Sequence, residues 1–436
     1  MSANNSKVVE IPQAAEKSAS LLKLVSSPLT IFLAALLARL VDLSLHPWFN
    51  SAHPDHLAFG YEIGRVAQSI VEGRGFSSPF GGDTGPTAWY TPAYPLLLAG
   101  IFKIFGVYSA ASAWVISAVN SFFAALTAVV IVGIGKETVG TKPGVTAAWL
   151  WALLPYVMQW SVRWVWETSL SALLLAAVVY GTLLLRREPR VGHFVGLGLL
   201  WAIVANANPT LLTLLPVTLA WIWWRQRSLP SVKAGMATVL LLAMLGCVPW
   251  VARNYLTMHY LGLRSNFGEE LYLGNQPGAE GLIILWKHPI WNNAELNDYR
   301  RLGEIAYIAQ KRKLAMDFIR SHPGTFFIIT LKRIAYFWCG APDDPRVHPS
   351  NVEVRATFLF MMSLLGLWGC VRAIRKKVPG GRLLLSVLIF YPLIFYITHT
   401  HVRYRHPVDP ILLLAAAYLF FSYSQEKPLL HPETRN

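Results

Sequence analysis

The sequence has few charged residues, and this excludes the largest class of proteins at once. Only 14% of its 436 residues are Asp, Glu, Lys or Arg, against 54% hydrophobic residues. Soluble globular domains carry about 25% charged residues, so an ordinary soluble domain is excluded. The three cysteines (Cys247, Cys339 and Cys370) have no spacing typical of a metal site or a disulfide framework, and they are interpreted as packing residues. The sequence also lacks internal repeats, low-complexity tracts and a glycine-rich nucleotide-binding motif.

Acidic residues are outnumbered, and the excess of positive charge needs an explanation. The chain has 38 Lys and Arg against 23 Asp and Glu, a formal net charge of +15. Such a charge is compatible with nucleic acid, but membrane proteins place Lys and Arg in their cytoplasmic loops. Because the chain is so apolar, we attribute the charge to those loops and expect no nucleic-acid partner.

The hydrophobic runs predict an all-α polytopic membrane protein with about ten transmembrane helices. Basic residues recur in alternate connections, which places both termini in the cytoplasm. The apolar run 93–106 is too short to cross, because a span needs about 20 residues, and it is interpreted as a half-embedded helix. The predicted spans are 28–45, 110–135, 143–160, 164–185, 191–207, 209–224, 234–251, 354–373, 382–398 and 407–424.

This topology divides the chain into five parts and locates it in a plasma membrane. They are a cytoplasmic tail (1–27), a transmembrane core (28–251) with a first outer loop (46–108), a large outer loop (252–353), C-terminal transmembrane helices (354–424) and a second tail (425–436). Interfacial juxtamembrane helices are predicted in both outer loops. Since no eukaryotic targeting signal is visible, we expect a bacterial inner membrane.

The stretch from Asp55 to Tyr94 is the first long polar interruption between the apolar runs. Residues 57–72 have apolar residues at i, i+3 and i+4, which predicts an amphipathic helix in the membrane interface. Glu62 and Arg65 lie one helical turn apart on its polar side. In the first span, Arg39 and Asp42 predict either a functional pair or a local ion pair.

Further charged residues gather at the predicted outer boundary. Arg163 and Glu167 are spaced i, i+4 at the start of the fourth span. Either they pair with each other at the helix start, or Glu167 is a second acid that binds a cation or orients a substrate.

Arg403 and Arg405 form a cationic cluster at the depth of lipid phosphates, whose oxygens suit the guanidinium fork. The alternative is that these arginines anchor the protein to ordinary lipid headgroups. The nearby His399, His401 and His406 have no specific metal-binding spacing and are interpreted as interfacial hydrogen-bonding residues.

Five segments together resemble the GT-C superfamily of membrane glycosyltransferases. In chain order they are EGRGFSSP with GPTAWYTPAYP, PWVARNY, the LYLGN segment and RYRHPVDP. They are most similar to the branch that contains protein O-mannosyltransferases and the lipid A aminoarabinose transferase. In that branch the first loop helix starts with an Asp-Glu pair. Phe59 and Gly60 stand at those positions here, and the nearest acids are Asp55 and Glu62.

The resemblance implies transfer of a sugar from a polyprenyl-phosphate carrier to an acceptor hydroxyl outside the cytoplasm, with inversion at the anomeric carbon. It implies that Glu62, or else Asp55, takes the acceptor proton, with Glu167 as a further acid. The implied donor-phosphate ligands are Arg403 and Arg405, with Arg65, Arg163 and Arg253 as helpers, and the implied pocket residues are Trp89, Tyr90, Tyr94 and Tyr404. The acceptor can be a glycan, a lipid or a protein. No cofactor follows from the sequence, and because relatives differ in metal dependence a divalent cation stays open.

Two other classes of function stay open at this point. A lipid-linked sugar flippase would have charges in mid-span and paired broken helices, whereas the charges here gather at the outer boundary. A GT-C-like protein without catalysis, acting as a partner in an envelope complex, is the second, because the Asp-Glu pair is missing.

Overall fold

The computed structural model describes residues 20, 23–51, 59–187, 189–341 and 349–424, and in this part of the chain the regular structure is helical. The helices are α1 (Pro28–Leu45), α2 (Glu62–Val71), α3 (Ala93–Phe105), α4 (Ala110–Glu137), α5 (Thr141–Leu153), α6 (Pro155–Val162), α7 (Thr168–Leu184), α8 (Val191–Ala207), α9 (Leu215–Gln226), α10 (Ser231–Met258), α11 (Phe267–Gly274), α12 (Asn293–Leu302), α13 (Glu304–Ser321), α14 (Pro323–Cys339), α15 (Pro349–Arg375), α16 (Gly381–Phe390), α17 (Leu393–Ile397) and α18 (Asp409–Ser424). Short 3₁₀ helices include Pro209–Leu214 and Val402–Val408.

The long apolar helices pack into one bundle with a continuous hydrophobic core. Helix α4 contacts α1, α5 and α7, while α8 packs on α10 and α15 packs on α18. Five segments of the described chain are long and apolar enough to cross a membrane: Pro28–Leu45, Ala110–Glu137, Ser231–Met258, Val352–Arg375 and Val402–Ser424. The protein is an all-α polytopic membrane protein, so the predicted fold class is confirmed.

The outward face of α1 shows what surrounds the bundle. Apolar residues spaced four apart stay exposed along its whole length: Leu29, Leu33, Leu37, Val41 and Leu45. Residues four apart share one face of a helix, and an uninterrupted apolar face of this kind is adapted to lipid rather than to water.

Prolines break two predicted spans, and a buried arginine stabilises one of the breaks. Span 143–160 becomes α5 and α6 because Pro155 has no N–H for the carbonyl of Trp151 four residues earlier. Arg39, fully buried in α1, donates instead to the carbonyls of Trp151 (3.0 Å) and Ala152 (2.8 Å). The second break, at Pro392, separates α16 from α17.

The predicted ion pair between Arg39 and Asp42 is therefore not formed, because backbone carbonyls occupy the guanidinium. Asp42 faces outward and lies 3.5 Å from Arg163 and 3.1 Å from His46.

The outer-loop helices form a second layer with its own aromatic core. Helices α2, α3, α13 and α14 lie where helices were predicted in the outer loops, and α12 adds one further helix. The predicted domain boundaries stay predictions, and most of the two predicted tails lies outside the described residues.

One carboxylate joins three parts of this layer. Glu304, the first residue of α13, is buried and accepts hydrogen bonds from the Thr87 hydroxyl, the Ala88 N–H (2.7 Å), the Ser265 hydroxyl (2.6 Å) and the Tyr299 hydroxyl (2.7 Å). Burial raises the pKa of Glu304, while these hydrogen bonds lower it. The first outer loop is thereby fixed to the segment that precedes α11.

Candidate active site

Two cavities lie where the outer layer meets the bundle, and they share one wall. We name each cavity after a residue that lines it and not the other. The Arg264 cavity has a volume of about 300 Å³, and the Glu62 cavity has a volume of about 350 Å³. The shared wall consists of Tyr90, Trp166, Glu270, Arg403 and Tyr404. A group held in one cavity therefore adjoins a group held in the other.

A carboxylate–imidazole pair lies in the Glu62 cavity. The Glu62 Oε1 atom is 3.2 Å from His288 Nε2, and the Tyr90 hydroxyl donates to Oε2 at 3.4 Å. Burial raises the pKa of Glu62 to about 7 and lowers the pKa of His288 to about 4. Near neutral pH, Glu62 is thus poised to exchange a proton beside a neutral imidazole.

The turn before α2 aims Glu62 into its cavity. Gly60 and Tyr61 both have positive φ, +83° and +51°. Gly60 passes so close to the neighbouring chain that a Cβ there would lie 2.3 Å from the Val165 carbonyl oxygen. This close approach requires glycine, and it places Tyr61 against Trp166, with ring centroids 5.2 Å apart.

Two arginines supply the positive charge of the Arg264 cavity. The Arg264 guanidinium lies 4.6 Å from the Tyr90 ring centroid, and that of Arg403 lies 4.0 Å from the Trp166 ring centroid. Aromatic faces attract guanidinium groups without neutralising them. Among the described residues, Arg403 has no carboxylate within 4.0 Å, so its charge is available to a ligand.

A second carboxylate–imidazole pair lies in the same cavity. The Glu270 Oε2 atom is 2.6 Å from His399 Nε2, while Oε1 accepts from Asn266 at 2.7 Å and lies 3.9 Å from Arg264. Burial raises the pKa of Glu270, but the hydrogen bond from His399 and the charges of His399, Arg264 and His288 together outweigh it and lower that pKa to about 2. Glu270 is therefore ionised at any working pH.

Glu167 lines the polar side of the Arg264 cavity. It precedes α7, and within the described structure its buried Oε2 has no hydrogen-bond partner. Neighbouring hydroxyl and amide groups continue this polar surface: Thr168, Ser171, Asn208, Thr210 and Thr213. The predicted pairing of Glu167 with Arg163 is not formed, because the Arg163 guanidinium turns to Asp42.

The structure thus brings five predicted site residues to the cavities: Glu62, Glu167, Arg403, Tyr90 and Tyr404. Asp55 lies outside the described residues. The aromatic residues Trp89 and Tyr94 are buried beside the cavities without lining them; Tyr94 donates its hydroxyl hydrogen bond to Asn120.

Four predicted phosphate ligands line neither cavity. Arg405 is fully buried in the bundle, with Nε 3.0 Å from Asp409 Oδ1 and Nη1 bonded to backbone carbonyls. Arg253 donates to the carbonyls of Thr87 and Phe76 at 2.6 and 2.5 Å. Arg253 and the Nη1 group of Arg405 donate to backbone carbonyls, so these two cations join parts of the chain to one another rather than lining a cavity.

Arg163 lies at the surface beside Asp42. Arg65 is half-buried on α2, one turn beyond Glu62. Its positive charge lowers the pKa of both Glu62 and His288 without contacting either cavity.

Sequence reasoning missed Arg264, Glu270 and His288 as site residues and treated His399 only as an interfacial histidine. Glu270 directly precedes the LYLGN segment that carried the GT-C resemblance, and that position was its only signal. No spacing along the chain connects these residues, because they come from the loop before α11, from α11, from the loop before α12 and from the turn after α17.

Among the described residues, no group of three or more His, Cys, Asp and Glu side chains is arranged to hold a metal. The two carboxylate–imidazole pairs offer two protein ligands each.

Comparison with solved structures shows what this architecture resembles. The archaeal oligosaccharyltransferase AglB from Archaeoglobus fulgidus, in complex with an inhibitory peptide and a dolichol-phosphate, matches with a TM-score of 0.55 and 14% identity over 91% of this chain and 50% of that one. A second structure of the Archaeoglobus fulgidus enzyme, with zinc and sulfate, matches with a TM-score of 0.53 and 12% identity over 91% and 49%. The proteins share a fold.

At 14% and 12% identity this likeness shows a shared fold alone, and it does not distinguish the branch predicted from the sequence. The chain spans about half the length of the solved structures that it matches. No protein-family model and no curated protein sequence matches it.

Proposed function

We propose that this protein is an integral membrane glycosyltransferase that moves a sugar from a polyprenyl-phosphate carrier to an acceptor hydroxyl on the extracytoplasmic side. The observation that carries the proposal is the pair of adjoining cavities, one with two arginines and the other with a carboxylate whose pKa is about 7. Sugar transfer needs an anion site and a proton acceptor on opposite sides of the reacting carbon.

The donor phosphate is assigned to the Arg264 cavity, between Arg264 and Arg403. Negative charge grows on the phosphate as the glycosidic bond breaks, and fixed cations in a water-poor site stabilise that transition state. Ile394 and Phe395 of α17 line the same cavity and give a lipid tail a route to the bilayer. The dolichol-phosphate bound by AglB supports a lipid phosphate as ligand of this fold.

The acceptor hydroxyl is assigned to the Glu62 cavity. Glu62 takes its proton while the acceptor oxygen attacks the anomeric carbon from the side opposite the phosphate, which inverts that carbon. General-base assistance contributes about 10²–10⁴-fold to such reactions. His288 holds the Glu62 carboxylate in place, since its Nε2 lies within hydrogen-bond distance.

The proposed location is the bacterial inner membrane, with both cavities facing outward. The basic connections that would then face the cytoplasm include the segment that joins α7 to α8 and the segment that joins α15 to α16. The acceptor is a glycan, a lipid or a protein.

The test is transfer or slow hydrolysis of radiolabelled polyprenyl-phosphate sugars by purified protein in nanodiscs. We expect turnover with at least one sugar of a broad panel, and we expect Glu62→Gln to abolish it while donor binding is retained. Glu72→Gln is the matched control, because Glu72 follows the same helix but is exposed. Unchanged turnover in Glu62→Gln would move the base to another acid. Wild-type protein without turnover or donor binding would favour a partner role, and donor movement across vesicles without turnover would indicate a flippase.

A further inference from the structure

Much of the apolar lining of the Glu62 cavity comes from one loop between α11 and α12. Residues 281–291 read GLIILWKHPIW, and Lys287 is the only Lys, Arg, Asp or Glu among them. We call this segment the apolar loop. Loops that face water are usually rich in polar residues, so this composition needs a reason. Besides His288, the loop supplies five residues to the cavity lining: Leu282, Ile283, Leu285, Ile290 and Trp291.

The burial of the lining residues gives the cavity a direction. Glu62 lies at the closed end and is 5% exposed, with the buried Tyr90 and Trp166 of the shared wall beside it. Among the described residues that line the cavity, the two most exposed are Leu285, at 43%, and Trp291, at 47%. The open end of the cavity is therefore apolar, while the carboxylate lies at the other end.

Hydrogen bonds hold the apolar loop against the rest of the outer layer. The Ile284 N–H donates to the Leu273 carbonyl of α11 at 3.0 Å, and the Gly281 carbonyl accepts from the Thr400 N–H at 3.4 Å. Directly before the loop, Glu280 pairs with Lys332 of α14. The apolar opening is therefore a fixed part of the folded layer.

The surroundings of the loop indicate that its opening meets the bilayer. Trp286, between the two opening residues, is 66% exposed, and tryptophan is enriched at the membrane–water interface. Next to Lys332, helix α14 has three exposed apolar side chains on one face: Phe327, Ile328 and Leu331. A contiguous apolar surface of this kind is adapted to lipid. We therefore place the opening in the outer leaflet.

We propose that the acceptor is a lipid: its hydroxyl-bearing head reaches Glu62, and its hydrocarbon chain leaves the cavity between Leu285 and Trp291. This inference rests on the proposed function and names the class of acceptor. A hydrocarbon chain gains from every methylene that it buries against these side chains. A peptide or a glycan would instead bring amide or hydroxyl groups against them, and burying such groups without hydrogen-bond partners is costly.

The transfer step balances with a lipid acceptor. The hydroxyl oxygen of the lipid head forms a bond to the anomeric carbon, the bond from that carbon to the phosphate oxygen breaks, and its electron pair stays on the phosphate. The hydroxyl proton goes to Glu62. The product is a glycolipid, which can leave through the same opening by which the acceptor entered.

The first measurement determines which class of molecule receives the sugar. The full protein in nanodiscs is given the radiolabelled donor on which it turns over, together with a bacterial envelope preparation that contains lipids, proteins and glycans. Mild acid then removes the sugar from unreacted donor, because a sugar phosphate hydrolyses much faster than a glycoside. We expect the remaining label in the lipid extract.

The other outcomes separate this inference from the proposed function. Label in protein, in non-extractable glycan or only in free sugar would overturn the lipid acceptor and leave the proposed function standing. Absence of turnover with every donor would refute the proposed function, and the lipid acceptor with it.

A matched pair of variants tests the opening. Leu285→Glu puts a charge where the chain is expected to pass, whereas Trp286→Glu puts the same charge on the next residue, which is exposed but lines neither cavity. With the lipid extract below saturation, we expect Leu285→Glu to lower the rate of transfer to lipid about tenfold or more, because a leucine side chain loses its contact with hydrocarbon. Trp286→Glu should transfer at the wild-type rate.

Thermal unfolding shows whether each variant is folded, and Trp291→Glu covers the case in which Leu285→Glu is not. Equal rates of transfer to lipid in the folded Trp286→Glu variant and in a folded variant of the opening would overturn the inference.

Discussion

Replacing Gly60 by alanine should test whether the Gly60 turn positions Glu62 for catalysis, because its effects on kcat and on protein stability can be measured apart. Gly60 has a φ of +83°, and an added Cβ would lie 2.3 Å from the Val165 carbonyl oxygen. A left-handed conformation costs an L-residue about 1–2 kcal/mol, and overpacking costs about 1–3 kcal/mol. We therefore expect Gly60→Ala to lower the free energy of unfolding by about 2–5 kcal/mol.

The effect on catalysis should be larger than this loss suggests. The new Cβ falls about 1 Å short of ordinary contact, which begins at 3.4 Å. The turn must move by that amount, and it carries Glu62 two residues further on. A displacement of about 1 Å at a catalytic group costs about 10²-fold in rate. The assay is kcat for sugar transfer in nanodiscs, together with thermal unfolding of the same preparation.

Gly73→Ala is the matched control. Gly73 has nearly the same φ, +80°, but no atom lies within 4 Å of its added Cβ. It should lose only about 1–2 kcal/mol of stability, with kcat close to wild type. If Gly60→Ala and Gly73→Ala had equal kcat values, the argument that the Gly60 contact positions Glu62 would be refuted.

Three further predictions test the charged residues. Burial raises the pKa of Glu62 to about 7, and only the ionised carboxylate can accept a proton. We therefore expect kcat to rise as the pH increases through about 7, and a pH–rate profile that is flat there would contradict this. Arg264→Gln should raise the donor KM about 10–100-fold with an unchanged acceptor KM, since a charged hydrogen bond contributes about 1.5–3 kcal/mol; equal changes in both KM values would exclude a donor-specific role. Arg405→Leu should destabilise the protein by about 3–5 kcal/mol because it removes the arginine partner of the buried Asp409, which keeps a contact of 3.6 Å with His406. Adding Asp409→Leu should restore most of that loss. If the double variant regains stability but has a raised donor KM, Arg405 does bind the phosphate.

Much of the fold was accessible from the sequence because the bilayer imposes simple rules. Apolar length and alternating basic connections located the helices of the bundle, and amphipathic spacing located α2. The breaks at Pro155 and Pro392 were not predicted, because apolar character continues across them. A proline that interrupts a helix inside a bundle is tolerated only where another group satisfies the freed carbonyls, as Arg39 does.

The site was harder to predict, because the sequence does not distinguish a basic residue that binds a ligand at the membrane boundary from one that binds other parts of the protein. Arg403 and Arg405 are two residues apart, yet one lies over Trp166 in the cavity wall and the other is buried against Asp409. Arg253 is occupied by two backbone carbonyls. Only the tertiary structure assigns these partners, and the same holds for Arg264, which the sequence did not distinguish from other basic loop residues.

The hydrogen bonds of Glu304 also determine when the outer face can form during synthesis. Glu304 and its partner Thr87 are 217 residues apart in the chain. At about 5–20 residues per second, the ribosome needs about 10–40 seconds to travel from one to the other. During that interval the segment around Thr87 has been made without its anchor, while helices α3 to α12 are still being made. A nascent chain that stops short of α13 therefore carries Glu62 and Arg264 but not the residue that fixes their loops together, so biosynthesis yields the assembled site late and as a whole.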